Sequence, residues 1–168
     1  DKQEQSVSVH LLEVAAIAKK LAAKINISEA GELIGLLHDF GKYSADFQNY
    51  IKSGTGLLNP DIDDDYADAQ AKKGKIDHST AGAQWLWQAL SKYGKNGEGK
   101  FCAQILALCI VSHHGKGLID CLQPDGTNGF EKRIKKLDDL THLNECTQNA
   151  DPSIKNQATA LADVSLVA

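Results

Sequence analysis

The chain has 168 residues, 42% of them hydrophobic and 24% charged, with a formal net charge of −4. These values describe one globular domain with a real core and exclude an intrinsically disordered chain. The acidic balance also excludes a protein that grips nucleic acid by bulk charge, so any strand it acts on is expected to be brought by another component. No apolar run approaches the ~20 residues that span a bilayer. The opening residues DKQEQSVSV lack the basic-then-apolar pattern of a secretion signal. A cytoplasmic location and no membrane partner are therefore expected. Cys102, Cys109, Cys121 and Cys146 form no CxxC pair, so neither a disulfide framework nor a zinc ribbon is expected. Cys102 and Cys109 fall seven apart in one helical segment and are both expected to face the core.

Helical periodicity runs along the chain. In HLLEVAAIAKKLAAKI, Leu11, Val14, Ala15, Ala18 and Leu21 recur at spacings of three and four. ISEAGELIGLLHDFGK follows, with Ser28 as N-cap, Glu32 in the first turn, an apolar face of Leu33, Ile34, Leu36 and Leu37, and Gly41 as a stop. SADFQNYI reads as a shorter helix. Residues from about 53 to 75 carry Gly, Pro and the run Asp61-Ile62-Asp63-Asp64-Asp65, which marks a loop. Helicity resumes in HSTAGAQWLWQALSKY and in KFCAQILALCIVSHH. After the loop GKGLIDCLQPDGTNG, FEKRIKKLDDLTHL reads as one helix with a charged face, and SIKNQATALADVSLVA as the last. No segment alternates like a strand and no repeat occurs, so the fold expectation is all-α and compact. Trp85 and Trp87 lie about 200° apart on a helix and are expected to face opposite ways, one into the core. The basic clusters Lys72, Lys73, Lys75 and Lys132, Arg133, Lys135, Lys136 read as solvated surface, and His142 as an ordinary surface histidine.

The histidines carry the chemical signal by their placement. His38 and His113-His114 end predicted helices, whereas His78 and His10 lie near the starts of others. Helix ends can converge on one cleft. His38-Asp39 alone reads as a surface pair near a helix C-terminus, but at a frayed last turn both side chains can enter one site, with Lys42 on their face. His113-His114-Gly115 alone reads as an exposed turn, yet two adjacent histidines after the apolar ALCIV are costly to bury without a partner such as a metal. Imidazole nitrogen with carboxylate oxygen suits Mn, Fe, Co, Ni or Zn. Two such ions about 3.5–4 Å apart can activate a water and stabilise the leaving oxygen of a phosphoester.

The order H…HD…H…HH…D resembles the HD superfamily of metal-dependent phosphohydrolases. Four strings resemble more closely the HD nuclease domain of the type I CRISPR nuclease-helicase: His10 in HLLEVA, LLHDFGKYSADFQNYI, His78 in DHSTAGA, and SHHG. The last acidic position of that family falls at Asp163 in ALADVSL. The resemblance implies a compact HD-type domain over residues 1–168 with its metal site at converging helix ends. It implies one ion on His10, His38, Asp39 and Asp163, a second on His78, His113 and His114, and Asp39 bridging them. Lys42 would stabilise charge on the scissile phosphate, and Ser79 and Ser112 would at most contact ligands or substrate. Asp138, Asp139 and Asp151 are rivals for the role given to Asp163.

The implied activity is hydrolysis of single-stranded DNA in antiviral defence, with one or two divalent ions (Mn, Ni, Co, Fe or Zn, with Mg possible). The implied partners are a helicase, fused or separate, and a CRISPR surveillance complex. No phosphate-binding GxxxxGK[ST] loop is present, so ATP hydrolysis lies outside this chain. An open groove is expected for a nuclease, and a narrow closed pocket for the alternative, a phosphohydrolase of a nucleotide or other small phosphate ester. A non-catalytic module is the third reading, against which stands the presence of every expected ligand. Because ligand histidines bind metal only when neutral, activity is expected to fall below about pH 6–6.5.

Overall fold

The computed structural model describes residues 4–115, 117–119 and 123–164, apart from the side chain of Val164. Among these residues are ten α-helices and no strand. They are α1 (Val7–Ala22), α2 (Ser28–Leu37), α3 (Ala45–Thr55), α4 (Ala69–Lys72), α5 (Thr80–Leu90), α6 (Glu98–Ser112), α7 (Gly129–Ile134), α8 (Asp138–Thr141), α9 (Leu143–Asn149) and α10 (Pro152–Val164). The all-α expectation holds.

The apolar stripes read from the sequence make the core. Leu11 of α1, Leu33, Leu36 and Leu37 of α2, Leu86 and Leu90 of α5, Ile110 of α6 and Ile154 of α10 are fully buried. Each contributes about 1.5–3 kcal/mol by leaving water. α1 packs along α2, α5 along α6, and α10 crosses α2 and α5. The buried Glu32 ties three of these helices: Lys19 Nζ of α1 lies 2.7 Å from its carboxylate, and Gln157 of α10 donates to it at 2.6 Å. Gly82 sets the α2–α5 distance, since a Cβ there would stand 1.9 Å from the carbonyl oxygen of Leu37.

Several boundaries differ from expectation. α2 starts at Ser28 with Ile27 before it, and no side chain caps it. It stops at Leu37, so Gly41 is not its terminator but part of a 3-10 turn over Phe40–Tyr43. The loop after α3 contains the short α4, whose first amides are capped by Asp68. FEKRIKKLDDLTHL is not one helix but is divided among α7, α8 and the start of α9. The cause is tertiary. The Gln84 side-chain amide of α5 lies within hydrogen-bond reach of the carbonyls of Arg133, Ile134 and Lys136, and His142 turns the chain with φ 54°. Cys109 is exposed rather than core-facing, while Cys102 is half-buried. Trp85 and Trp87 are both partly buried against the core, because α6, α7 and α10 cover more of α5 than one stripe. Cys121 and the last four residues of the predicted final helix lie outside the described residues.

Candidate metal centre

Four segments meet at one end of the core. Beyond α2, His38 keeps helical angles (φ −56°, ψ −38°), whereas Asp39 turns away (φ −117°, ψ 26°). Side chains that would diverge by about 100° on a helix thereby converge. The 3-10 turn returns Lys42 to the same carboxylate. α6 ends at Ser112 and delivers His113 and His114, their ring centroids 3.9 Å apart. His10 comes from the first turn of α1, and His78 from the turn that enters α5. That turn lies flush on the segment after α2. The Gly41 amide donates to the His78 carbonyl at 3.0 Å, and a Cβ at Gly41 would stand 2.5 Å from both Cα and O of His78.

Asp39 is the hub, with a side chain only 4% exposed. Its two oxygens face different partners. Oδ2 lies 3.1 Å from His10 Nε2, 3.1 Å from His38 Nε2 and 2.7 Å from Lys42 Nζ. Oδ1 lies 3.2 Å from His113 Nε2, 3.5 Å from His114 Nε2 and 3.6 Å from His78 Nε2. Burial alone would raise the Asp39 carboxyl, but the bonds from His113, His38 and Lys42 outweigh it and hold the group far below the ordinary carboxylate range. Burial pushes His78 down. It also pushes His114 down, helped there by the charge on His113. His113 moves up despite its burial, because Asp39 accepts its Nε2–H and the Ile110 carbonyl accepts its Nδ1–H.

The backbone sets the tautomers. Carbonyl oxygens only accept, so the Nδ1–H groups of His38, His78 and His113 donate to Gly35, Ile76 and Ile110 at 2.8, 3.2 and 2.7 Å. Once the Nε2 proton that bonds Asp39 is lost, the neutral ring points its Nε2 lone pair at Asp39, the arrangement that metal-ligating histidines adopt. Two ligand groups result, each with its donor atoms within 4.8 Å of one another: Asp39, His78, His113 and His114 in one, and His10, His38 and Asp39 in the other. Imidazole nitrogens with a shared carboxylate fit divalent transition ions.

The structure does not bring Asp163 to either group. On α10, Ala158 and Ala162 turn inward, and Asp163, one position further round, is exposed and accepts the Tyr93 hydroxyl at 2.7 Å. Of the acids weighed in the sequence, Asp151 shares a cleft with His10. It caps α10 through Ser153 and lines an open cleft of about 800 Å³ with His10, Lys42, Tyr43, Phe47 and Gln48. The cleft continues along α3 into a second hollow of about 470 Å³ that shares Gln48 and Ile51 and reaches Lys52, Thr55 and Leu57. Phe47 packs its ring 4.9 Å from that of His78, and Gln48 donates to the Lys42 carbonyl at 2.7 Å. Ser112 is buried and accepts the Ile119 amide, and Ser79 is buried beside His78. His142 lies half-buried, 3.7 Å from Asp46 and 3.5 Å from Glu145, away from the ligands.

Sequence reasoning missed Asp77. This nearly buried carboxylate accepts from Lys136 Nζ (2.6 Å), Arg133 Nη1 (2.8 Å) and Thr80 Oγ1 (2.7 Å). Burial would raise its carboxyl, but the Lys136 and Thr80 bonds and the Arg133 charge bring it below the ordinary value. Its local signal was the spacing Asp77–Thr80, that of a helix-capping acid. Arg133 and Lys136 are thus engaged in an ion-pair cluster, not merely solvated, while Lys135 pairs with Glu131 on the surface.

The family model for the Cas3 HD domain matches residues 1–166. No curated protein and no solved structure matched the chain. With a match that spans nearly all 168 residues and a histidine–aspartate cluster able to hold metal at the motif positions, the chain belongs to the family of Cas3 HD domains, whose chemistry is metal-dependent hydrolysis.

Proposed function

We propose that this domain is a metal-dependent nuclease that hydrolyses phosphodiester bonds of single-stranded DNA in type I CRISPR interference. The observation that carries the reading is the division of partners by Asp39, with His10 and His38 on Oδ2 and His78, His113 and His114 on Oδ1. We assign one divalent ion to the first set and a second to the other, with Asp39 shared. A bound pair of ions supplies an activated water and stabilises the leaving oxygen. The chain supplies the rest. Carbonyl-anchored Nδ1–H groups hold three rings ready to ligate, so these rings need not reorient. Lys42, in the cleft wall beside Asp39, places a positioned cation where the phosphate gathers charge. Asp163 is left out of this assignment because of its bond to Tyr93.

The elongated cleft supports a polymeric substrate over a single enclosed nucleotide. The net charge of −4 supports delivery of the strand by a helicase, fused or separate, after a surveillance complex opens its target in the cytoplasm. No described helix is long and apolar enough to cross a membrane. The test is degradation of circular single-stranded DNA with Mn, Ni, Co, Mg or EDTA, with Asp39→Ala as control. Cleavage that requires a transition ion and vanishes in Asp39→Ala supports the proposal. Bound metal without cleavage of any strand would move the assignment to a small phosphate ester.

A further inference from the structure

Next to His78 in the chain lies the Asp77 cluster, whose bonds go to Thr80, Arg133 and Lys136 and to none of the ligand side chains. We infer that Asp77 is a positioning residue for the metal centre: held by Arg133 and Lys136, it sets the His78 arm and with it the ion assigned to His78, His113 and His114. This inference rests on the two-ion reading above.

The turn that carries His78 is fastened at three points. The His78 carbonyl takes the Gly41 amide. Within the turn, the Ile76 carbonyl takes the Nδ1–H of the ring. One residue before the ring, Asp77 takes Lys136, Arg133 and both the hydroxyl and the amide of Thr80. The two cations are themselves placed. Gln84 of α5 gathers the carbonyls of Arg133, Ile134 and Lys136 at 3.4, 3.0 and 2.8 Å, which breaks the helix where those cations are needed.

A half-buried ion pair such as this is weak evidence for stability, because desolvation and solvent screening offset much of the attraction, and the best attested use of such pairs is to specify one geometry. Here the geometry specified is that of the residue next in the chain. His78 Nε2 makes the longest approach to Asp39 among the five imidazoles, 3.6 Å, so a shift of its turn is felt first at that ion. The bonds of the cluster do not involve His10 or His38.

The experiment is Mn²⁺ titration followed by calorimetry and electron paramagnetic resonance, on the wild type, Asp77→Asn, Lys136→Met and Lys136→Arg. Wild type is expected to bind two ions and show their spin coupling. Asp77→Asn and Lys136→Met are expected to keep one ion at wild-type affinity, weaken the other by about 10–100-fold, as outer-partner substitutions do, and lose the coupling. Lys136→Arg, which retains the charge, is expected to restore both. Should Asp77→Asn fail to fold, the Lys136 pair carries the same comparison. Two ions at wild-type affinity in the Met variant, or equal weakening of both ions, overturns the inference. A wild-type stoichiometry of one overturns the two-ion reading itself, and is recognised before any variant is compared.

Discussion

Asp39 concentrates the chemistry of the site in one carboxylate, which makes its substitution informative. Asp39→Asn keeps the shape but removes the charge that faces five imidazoles and Lys42. It is expected to abolish strand cleavage and to weaken both ions, read by calorimetry; one ion retained at full affinity would show that Asp39 is not shared. Asp77 gives a cleaner test against pH. Its folded carboxyl lies below the ordinary 3.8, so the stability it contributes is fully present above that value and is lost as pH falls through the folded value. In EDTA, the difference in urea stability between wild type and Asp77→Asn is expected to be constant above about pH 5 and to close as pH falls below about 4. A difference that stays flat to pH 2 would show that the carboxylate is not held charged by its partners. The histidines and Asp39 were legible in the sequence because each motif is local. Asp77 was not, since Arg133 and Lys136 lie 56 and 59 residues away. Asp163 stands apart from both ligand groups because adjacent positions on a helix point about 100° apart, and the inward phase belongs to Ala158 and Ala162.

The helices that build the core were legible for the opposite reason, that their signal is repeated over several turns. Leu33, Leu36 and Leu37 appear in the sequence as a stripe and in the structure as a buried face. The failed reading was the single helix over FEKRIKKLDDLTHL. Its local propensity is sound, but Gln84 draws three of its carbonyls out of the helical ladder, and no pattern within the segment announces that. Close approach between elements is likewise invisible until the partner is known. Gly82→Ala would drive a methyl into the Leu37 carbonyl, directly before His38 and Asp39. Overpacking of this kind costs about 1–3 kcal/mol, and for a chain of this size each kcal/mol lowers Tm by about 2–4 °C. The variant is expected to melt about 2–12 °C lower and to bind metal more weakly even where it remains folded. Unchanged melting and metal affinity would mean that α2 and α5 can separate without disturbing the centre.

At the scale of the whole molecule, charge decides how a polyanion can be held. The chain carries −4, and two divalent ions would bring that formal charge to zero at the one place where a scissile phosphate must sit. On the proposed assignment Lys42 would add a positioned cation there, while Glu4 and Asp151 line the same cleft and would oppose a strand lying along it. Affinity for single-stranded DNA should therefore reside largely in the ions and little in the protein surface. Counterion release gives the quantitative form of this argument: each phosphate neutralised by a protein cation contributes about 0.7 to the slope of log affinity against log salt on a single strand. A labelled phosphorothioate strand, chosen to resist cleavage, is expected to bind at least about tenfold more weakly in EDTA than with Mn²⁺. Its salt slope with Mn²⁺ should remain small, about 1–2, as for two or three neutralised phosphates. Fluorescence anisotropy measures both quantities. Metal-independent binding with a steep slope would instead locate a strand-binding surface away from Asp39, and a helicase would then be unnecessary for capture.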